Sequence, residues 1–131
     1  MKTKRVAIFG GSFNPAGVNH FAVVKILSEN FDQVIVIPCG GRNKQGLNYI
    51  SARDRAQIAI MTFSDLPNVT VDLSDIDNDE FTRTYDLDLR LKKQIDGQIF
   101  HVIGTDLIVG GANGKSEIQT SWYRGQELWS N

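Results

Sequence analysis

Two glycines and a serine, Gly10-Gly11-Ser12, stand directly after the apolar run Val6–Phe9, and the stretch continues Phe13-Asn14-Pro15-Ala16-Gly17-Val18-Asn19-His20. Glycines at a strand end let the backbone approach a phosphate closely, and free N–H groups at the start of a following helix add donors and a partial positive charge. The chemistry this stretch points to is anion binding, phosphate above all. Its spacing is neither common phosphate loop: no Lys-Ser or Lys-Thr pair follows, as GxxxxGK[ST] requires, and GxGxxG is not met. Ser12 would touch phosphate or ribose through its hydroxyl, or simply bond its own turn. His20 falls where an imidazole at a helix start would face an anion; the plainer alternative is a histidine that caps or packs there. His101, inside the apolar run Gln98–Ile103, reads as a core or sheet-edge histidine instead.

For that loop to bind an anion, the elements around it must open it at the right end of a sheet. Val6–Phe9 is bounded by Lys4-Arg5 and Gly10-Gly11, the pattern of a strand buried on both faces. His20–Asn30 sets Phe21, Val24 and Leu27 on one helical face, with Val23 and Ile26 widening it. Gln33–Pro38 is a β-branched run stopped by proline, Ser51–Phe63 returns to helical spacing through Ala52, Ile58, Ala59 and Met61, and Pro67-Asn68 turns the chain into a strand over Val69–Leu73. Tyr85–Ile95 places Leu87, Leu91 and Ile95 four apart, Gly97 follows at the expected stop, and Gln98–Ile103 makes a fourth strand. Val109–Lys115 reads as a flexible loop and Ser121–Trp129 as the start of one more helix. Strands alternating with helices imply right-handed βαβ units, hence an α/β, doubly wound parallel sheet with helices on both faces. In such sheets ligands bind beyond the carboxyl ends of the strands, near the point where strand order reverses.

The stretch Gly10–His20 resembles the signature GGxFDPxHxGH of the nucleotidyltransferase superfamily, in particular its nicotinate-mononucleotide adenylyltransferase branch. Gly10, Gly11, Ser12, Phe13, Asn14, Pro15 and His20 match it. Val36–Gly40, the helix containing Arg55, Thr84-Tyr85-Asp86, Ile103-Gly104-Thr105-Asp106 and Trp122-Tyr123 are similar to that family's landmarks in the same order. The resemblance implies a Rossmann-like nucleotidyltransferase domain over 1–131. It also implies adenylyl transfer from ATP, with Mg²⁺, to nicotinate or nicotinamide mononucleotide, releasing pyrophosphate in NAD biosynthesis. On the same ground His20 is the catalytic candidate facing the transferring phosphate. Gly10, Gly11, Ser12, Phe13 and Lys44 would bind ATP phosphates, with Arg42 competing for the lysine's place. Thr84, Asp106, Trp122 and Tyr123 would surround the mononucleotide, the tryptophan stacked on the pyridine ring. Each of those four has a bland alternative: Thr84 as a helix N-cap, Asp106 capping a turn, Trp122 in the core.

Two positions depart from the signature: Gly17 stands where the family has histidine or threonine, and Asn19 where it has glycine. GGANGKSEIQ lengthens the stretch between Asp106 and Trp122, and no ISSTxIR-like segment occurs before Asn131. The fold is therefore expected to be truncated at its C-terminus, as the front part of a longer protein or a gene that lost its tail. Two further functions compete: a sister reaction on another acceptor, such as phosphopantetheine, or with CTP, and a vestigial nucleotide-binding protein without turnover.

Composition sets the remaining bounds. The 131 residues carry 14 Lys+Arg against 15 Asp+Glu, a net charge of −1, with 41% hydrophobic residues. That is globular rather than disordered, and it removes a bulk electrostatic case for nucleic acid or an anionic membrane as partner. Cys39 is the single cysteine. It can form no internal disulfide or Cys-rich zinc site, so the expected compartment is the cytoplasm, with Cys39 a small residue at a strand end. No apolar stretch suits a signal sequence or a membrane span. The acidic run Asp72–Glu80 lacks the ligand pattern of a calcium loop and reads as a solvated face, so no metal ligands are assigned. Nothing in the sequence marks an oligomeric state.

Overall fold

The computed structural model describes residues 3–40 and 50–130. The chain divides into two compact units, Met1–Thr82 with Asp96–Val102, and Arg83–Ile95 with Ile103–Asn131.

The first unit contains strands β1 (Arg5–Gly11), β2 (Gln33–Pro38), β3 (Val69–Val71) and β4 (Gln98–His101), with helices α1 (Val18–Asn30), α2 (Ala52–Phe63) and α3 (Ser74–Asp77). All strands are parallel, in the order β3-β2-β1-β4. The chain steps outward from β1 to β3 and then returns to the other side of β1, so strand order reverses between β1 and β4. This is the doubly wound α/β arrangement, and it puts the loop after β1 at the reversal point where such sheets bind ligands.

β1 and β2 are continuous apolar runs because both faces are covered. Ala7, Val34 and Val36 point to one face, where Val24 of α1 and Ala59 and Phe63 of α2 join them in a single core with Phe13 and Ala16. Val6, Ile8, Ile35 and Ile37 alternate to the opposite face and are equally buried. Asn68 fixes where β3 begins: its amide donates to the Ser28 carbonyl at 2.7 Å and the Phe31 carbonyl at 3.2 Å, tying the end of α1 to the turn before β3.

Several expectations change. On α1, Phe21, Val24 and Leu27 form the packed face, whereas Ile26 is 61% exposed and Val23 also faces solvent. Residues one step off the 21-24-27 line are rotated about 100° away from it. Met61 on α2 is likewise exposed, and the buried positions there are Arg55, Ala56, Ala59 and Phe63. The third strand stops at Val71 because the Asp72 carboxylate accepts from the Ser74 N–H (2.9 Å) and hydroxyl (2.6 Å), turning the chain into α3. The acidic run is therefore not wholly a solvated face. Asp75 is buried, and its carboxylate accepts from the Thr82 N–H (3.1 Å) and hydroxyl (2.8 Å), closing the segment on itself. That closure lies against Gly40, where a Cβ would stand 2.6 Å from the Asp75 carbonyl oxygen and 2.7 Å from the Glu80 nitrogen, so no side chain fits.

The second unit holds α4 (Thr84–Gln94), α5 (Glu117–Ser121) and α6 (Gly125–Ser130), with short 3-10 turns at Thr105–Leu107 and Gly111–Asn113. The expected loop at Val109–Lys115 is thus partly a turn, held by the Lys115 N–H on the Gly110 carbonyl at 2.9 Å. The single late helix is two, because Trp122–Arg124 break the run, with Arg124 at φ 51. α5 starts on a capping box in which Ser116 accepts from the Gln119 N–H and the Gln119 side chain accepts from the Ser116 N–H.

Phe63 sits at the centre of the first unit's core, 1% exposed and edge-on to Phe13 at 6.2 Å. Phe63→Ala should cost about 3–5 kcal/mol of unfolding free energy in urea titrations. A loss under 1 kcal/mol would show that this core does not carry the fold.

Candidate active site

The loop between β1 and α1 takes its shape from Phe13. This residue has a left-handed backbone, φ 46, which costs a non-glycine residue about 1–3 kcal/mol. Its ring is buried and meets Phe9 edge-on at 5.4 Å, His20 at 5.0 Å and Phe63 at 6.2 Å, linking β1, α1 and α2. The Asn14–Pro15 peptide that follows is cis. Gly10 and Gly11 have ordinary backbone angles, and a Cβ at either would meet its nearest neighbours at 3.7 and 3.6 Å, normal contact. Local packing therefore does not demand two glycines, and their bareness leaves room over the strand end.

His20 is half-buried in the first turn of α1. Its Nδ1 accepts a hydrogen bond from the Gly17 N–H at 3.0 Å. An accepting Nδ1 carries no proton, so in the neutral ring the proton resides on Nε2, which becomes a donor. Gly17 itself has extended backbone, and a Cβ there would meet nothing within 4 Å. The missing side chain at this position thus leaves open space. Asn19 is exposed on the first turn and does not cap the helix; the N-cap position falls on Gly17.

Ser12 lies beside Cys39 at the end of β2, the thiol donating to the hydroxyl oxygen at 3.7 Å, and the Cys39 N–H donates to the Gly11 carbonyl at 2.9 Å. Asn14 turns its Oδ1 to the Ile50 N–H at 2.7 Å. Residues 40 and 50, which border the basic segment, are therefore each anchored: Gly40 through its N–H on the Glu80 carbonyl, Ile50 on Asn14. Lys44 and its competitor Arg42 lie in 41–49, outside the described residues. His101 ends edge strand β4, as one of its two readings expects.

Gly10, Gly11, Ser12, Phe13 and His20 thus come together in the first unit, while Thr84, Asp106, Trp122 and Tyr123 all belong to the second. Within the second, Thr84 is the first residue of α4, and the N-cap position is Arg83, so the plain capping role for Thr84 does not hold. Tyr123 follows Trp122, the C-cap of α5, and meets Tyr85 edge-on at 5.9 Å. Arg83 covers the Tyr123 ring at 3.8 Å, Arg124 covers Tyr85 at 4.6 Å, and Glu127 holds Arg124 through two bonds of 2.8 and 2.9 Å. Desolvation pushes the Tyr85 phenol above its usual range against the opposing pull of Arg124, with Glu127 adding to the rise. Asp106 is exposed and folds its carboxylate over Gly104, where a Cβ would stand 2.5 Å from Oδ1. Sequence reasoning missed Arg83, Tyr85, Arg124 and Glu127 as a set. The signal in the sequence was that Arg83, Tyr85 and Arg124 adjoin Thr84 and Tyr123, while Glu127 lies three residues beyond Arg124.

A cytidylyltransferase-like family model matches residues 8–131. The "Probable nicotinate-nucleotide adenylyltransferase" of Borrelia hermsii is 32% identical over 106 residues, covering 79% of this chain and 56% of that protein. The protein of the same name from Carboxydothermus hydrogenoformans is 31% identical over 134 aligned positions, covering 98% and 61%. Among solved structures, Plasmodium falciparum nicotinic acid mononucleotide adenylyltransferase complexed with NaAD is similar with a TM-score of 0.69 at 27% identity, covering 95% of this chain and 60% of that one. The chain therefore spans a little over half the length of these curated relatives.

With Nδ1 tied to the Gly17 N–H, a long-range proton–nitrogen spectrum of neutral His20 should show the proton on Nε2, and Gly17→Pro, which removes the donor, should erase that preference. A proton on Nδ1 in the wild-type chain would mean that the backbone does not set the tautomer.

Proposed function

The chain belongs to the cytidylyltransferase-like family, and from that premise we propose that it transfers the adenylyl group of MgATP to the 5′-phosphate of nicotinate or nicotinamide mononucleotide, releasing pyrophosphate. The observation that carries this reading is the loop after β1. It stands at the reversal point of the sheet, stripped of side chains at Gly10 and Gly11, with an oriented imidazole on the helix that follows.

No protein nucleophile is required. The mononucleotide phosphate attacks the α-phosphorus in line, the bond to the bridging oxygen breaks, and pyrophosphate leaves with that electron pair. Catalysis then consists of positioning and of neutralising charge on the phosphoryl oxygens. His20 Nε2–H would donate to an oxygen of the transferring phosphate, and the backbone of Gly10–Phe13 would hold the phosphates, with the first turn of α1 contributing partial positive charge. Magnesium would enter as part of the substrate. Among the described residues no three His, Cys, Asp or Glu side chains gather to hold an ion, and phosphate oxygens and water suit it well. Thr84, Asp106, Trp122 and Tyr123 would receive the mononucleotide, with the Trp122 ring half-buried and the Tyr123 ring exposed. Lys44 would reach the triphosphate. The names of the relatives favour this acceptor over phosphopantetheine and ATP over CTP.

Gly17 favours a second reading, nucleotide binding without turnover, because the space where a phosphate-facing side chain would stand is open.

Pyrophosphate release from MgATP and nicotinate mononucleotide is the expected result, and His20→Ala should lower kcat by about 10²-fold while changing the ATP dissociation constant little. Equal kcat in the variant would remove His20 from the chemistry. ATP binding by calorimetry with no pyrophosphate release would establish the second reading in place of the first.

Because the Gly17 site is open and its backbone ordinary, Gly17→His should fold with unchanged melting temperature and raise turnover several-fold. A drop in both would show that the position is closed to a side chain.

A further inference from the structure

Arg55, on the first turn of α2, is fully buried, an unusual place for a guanidinium. Three of its hydrogen bonds go to the main chain of three separate segments. Nε donates to the Ile50 carbonyl at 3.0 Å, and Nη1 donates both to the Ser12 carbonyl at 2.9 Å and to the Cys39 carbonyl at 2.8 Å. One planar group thus joins the loop after β1, the end of β2 and the entry to α2. Each contact leaves the opposite side of a peptide plane facing elsewhere. The Ser12–Phe13 peptide is trans, since the cis bond of this loop is Asn14–Pro15, and in a trans peptide the N–H points opposite to the C=O. With the Ser12 oxygen drawn onto the guanidinium, the Phe13 N–H is held on the side away from it. The same residue carries the left-handed backbone, a conformation that turns successive N–H groups into an anion-binding concavity.

We propose that Arg55 is a positioning residue for the nucleotide phosphates: without touching the ligand, it sets the plane of the Ser12–Phe13 peptide so that the Phe13 N–H is presented to a phosphate oxygen. This rests on the nucleotide reading above for the identity of the anion. Lysine cannot take over the task, because it has one nitrogen on a flexible stem, whereas Nε and Nη1 reach acceptors in different directions from one rigid fork.

The test compares wild type, Arg55→Lys and Arg55→Met by MgATP and pyrophosphate calorimetry, melting temperature, and the amide resonances of Phe13 and Ile99. Arg55→Lys is expected to displace the Phe13 amide resonance, to weaken MgATP binding at least tenfold, and to leave Ile99 of β4 in place. An unmoved Phe13 amide, or a moved amide with wild-type MgATP affinity, overturns the proposal, and a fall in melting temperature alone counts as such an outcome. Should both variants fail to fold, the wild-type chain decides: MgATP should slow hydrogen exchange at Arg55 Nε several-fold, and unchanged exchange overturns the coupling. If the wild-type chain binds neither MgATP nor pyrophosphate, the nucleotide reading fails separately, and the clamp is judged on the Phe13 amide in Arg55→Lys alone.

Discussion

The burial of the Phe13 ring holds the loop after β1 in a conformation its backbone would not adopt alone. A left-handed residue with a large side chain is unfavourable, yet fully burying a phenylalanine ring is worth about 1.5–3 kcal/mol, enough to offset it. The ring is also shared, since it abuts Phe9 from the strand, His20 from the first helix and Phe63 from the second. A shift of any of those elements would therefore reach the loop through one side chain. Loops at the ends of strands are normally the soft part of a fold. Here the soft part is braced from the core on one side and by backbone carbonyls on a guanidinium on the other.

The second unit joins the start of α4 to the segment after α5 by different means. Two tyrosines and two arginines interlock, each guanidinium over the ring of a tyrosine from the other segment, and Glu127 fixes one of the arginines from the next helix. Cation–π pairs at exposed sites contribute about 0.5–1 kcal/mol each. They are thus better suited to orienting a surface than to holding the unit together. The tight approach of Gly125 to Ile118, where a Cβ would overlap the carbonyl oxygen, packs α5 and α6 closely and sets the direction of the connection that carries Trp122 and Tyr123.

Where one face of an element is repetitive, the sequence made it readable. The β-branched runs of β1 and β2 and the glycine and proline stops around them announced a parallel sheet, and the ordered landmarks announced the family to which the chain belongs. Pattern failed where a single side chain overrides it. Ile26 and Met61 look like core residues by type, yet a rotation of one residue on a helix turns them to solvent. Asp75 looks like surface and is buried, because two donors from Thr82 satisfy its carboxylate. Arg55 could be placed on a helix but its burial could not be foreseen, since it binds the carbonyls of Ser12, Cys39 and Ile50, main-chain groups that no residue type reveals. The insertion before Trp122 concealed a capped helix for a related reason: its capping box closes through the Gln119 side chain, at a position where a glutamine also reads as surface.

The bond between His20 and residue 17 has a bearing on how this sequence can change over time. The donor is a backbone N–H, which every residue except proline supplies, so the ring keeps its tautomer whatever side chain occupies the position. Histidine orientation and the side chain at position 17 are thereby separable traits. The chain can gain or lose a side chain at position 17 without disturbing the bond that orients the imidazole three residues on, so substitution there changes what stands in the open space beside the loop while the ring geometry is inherited intact.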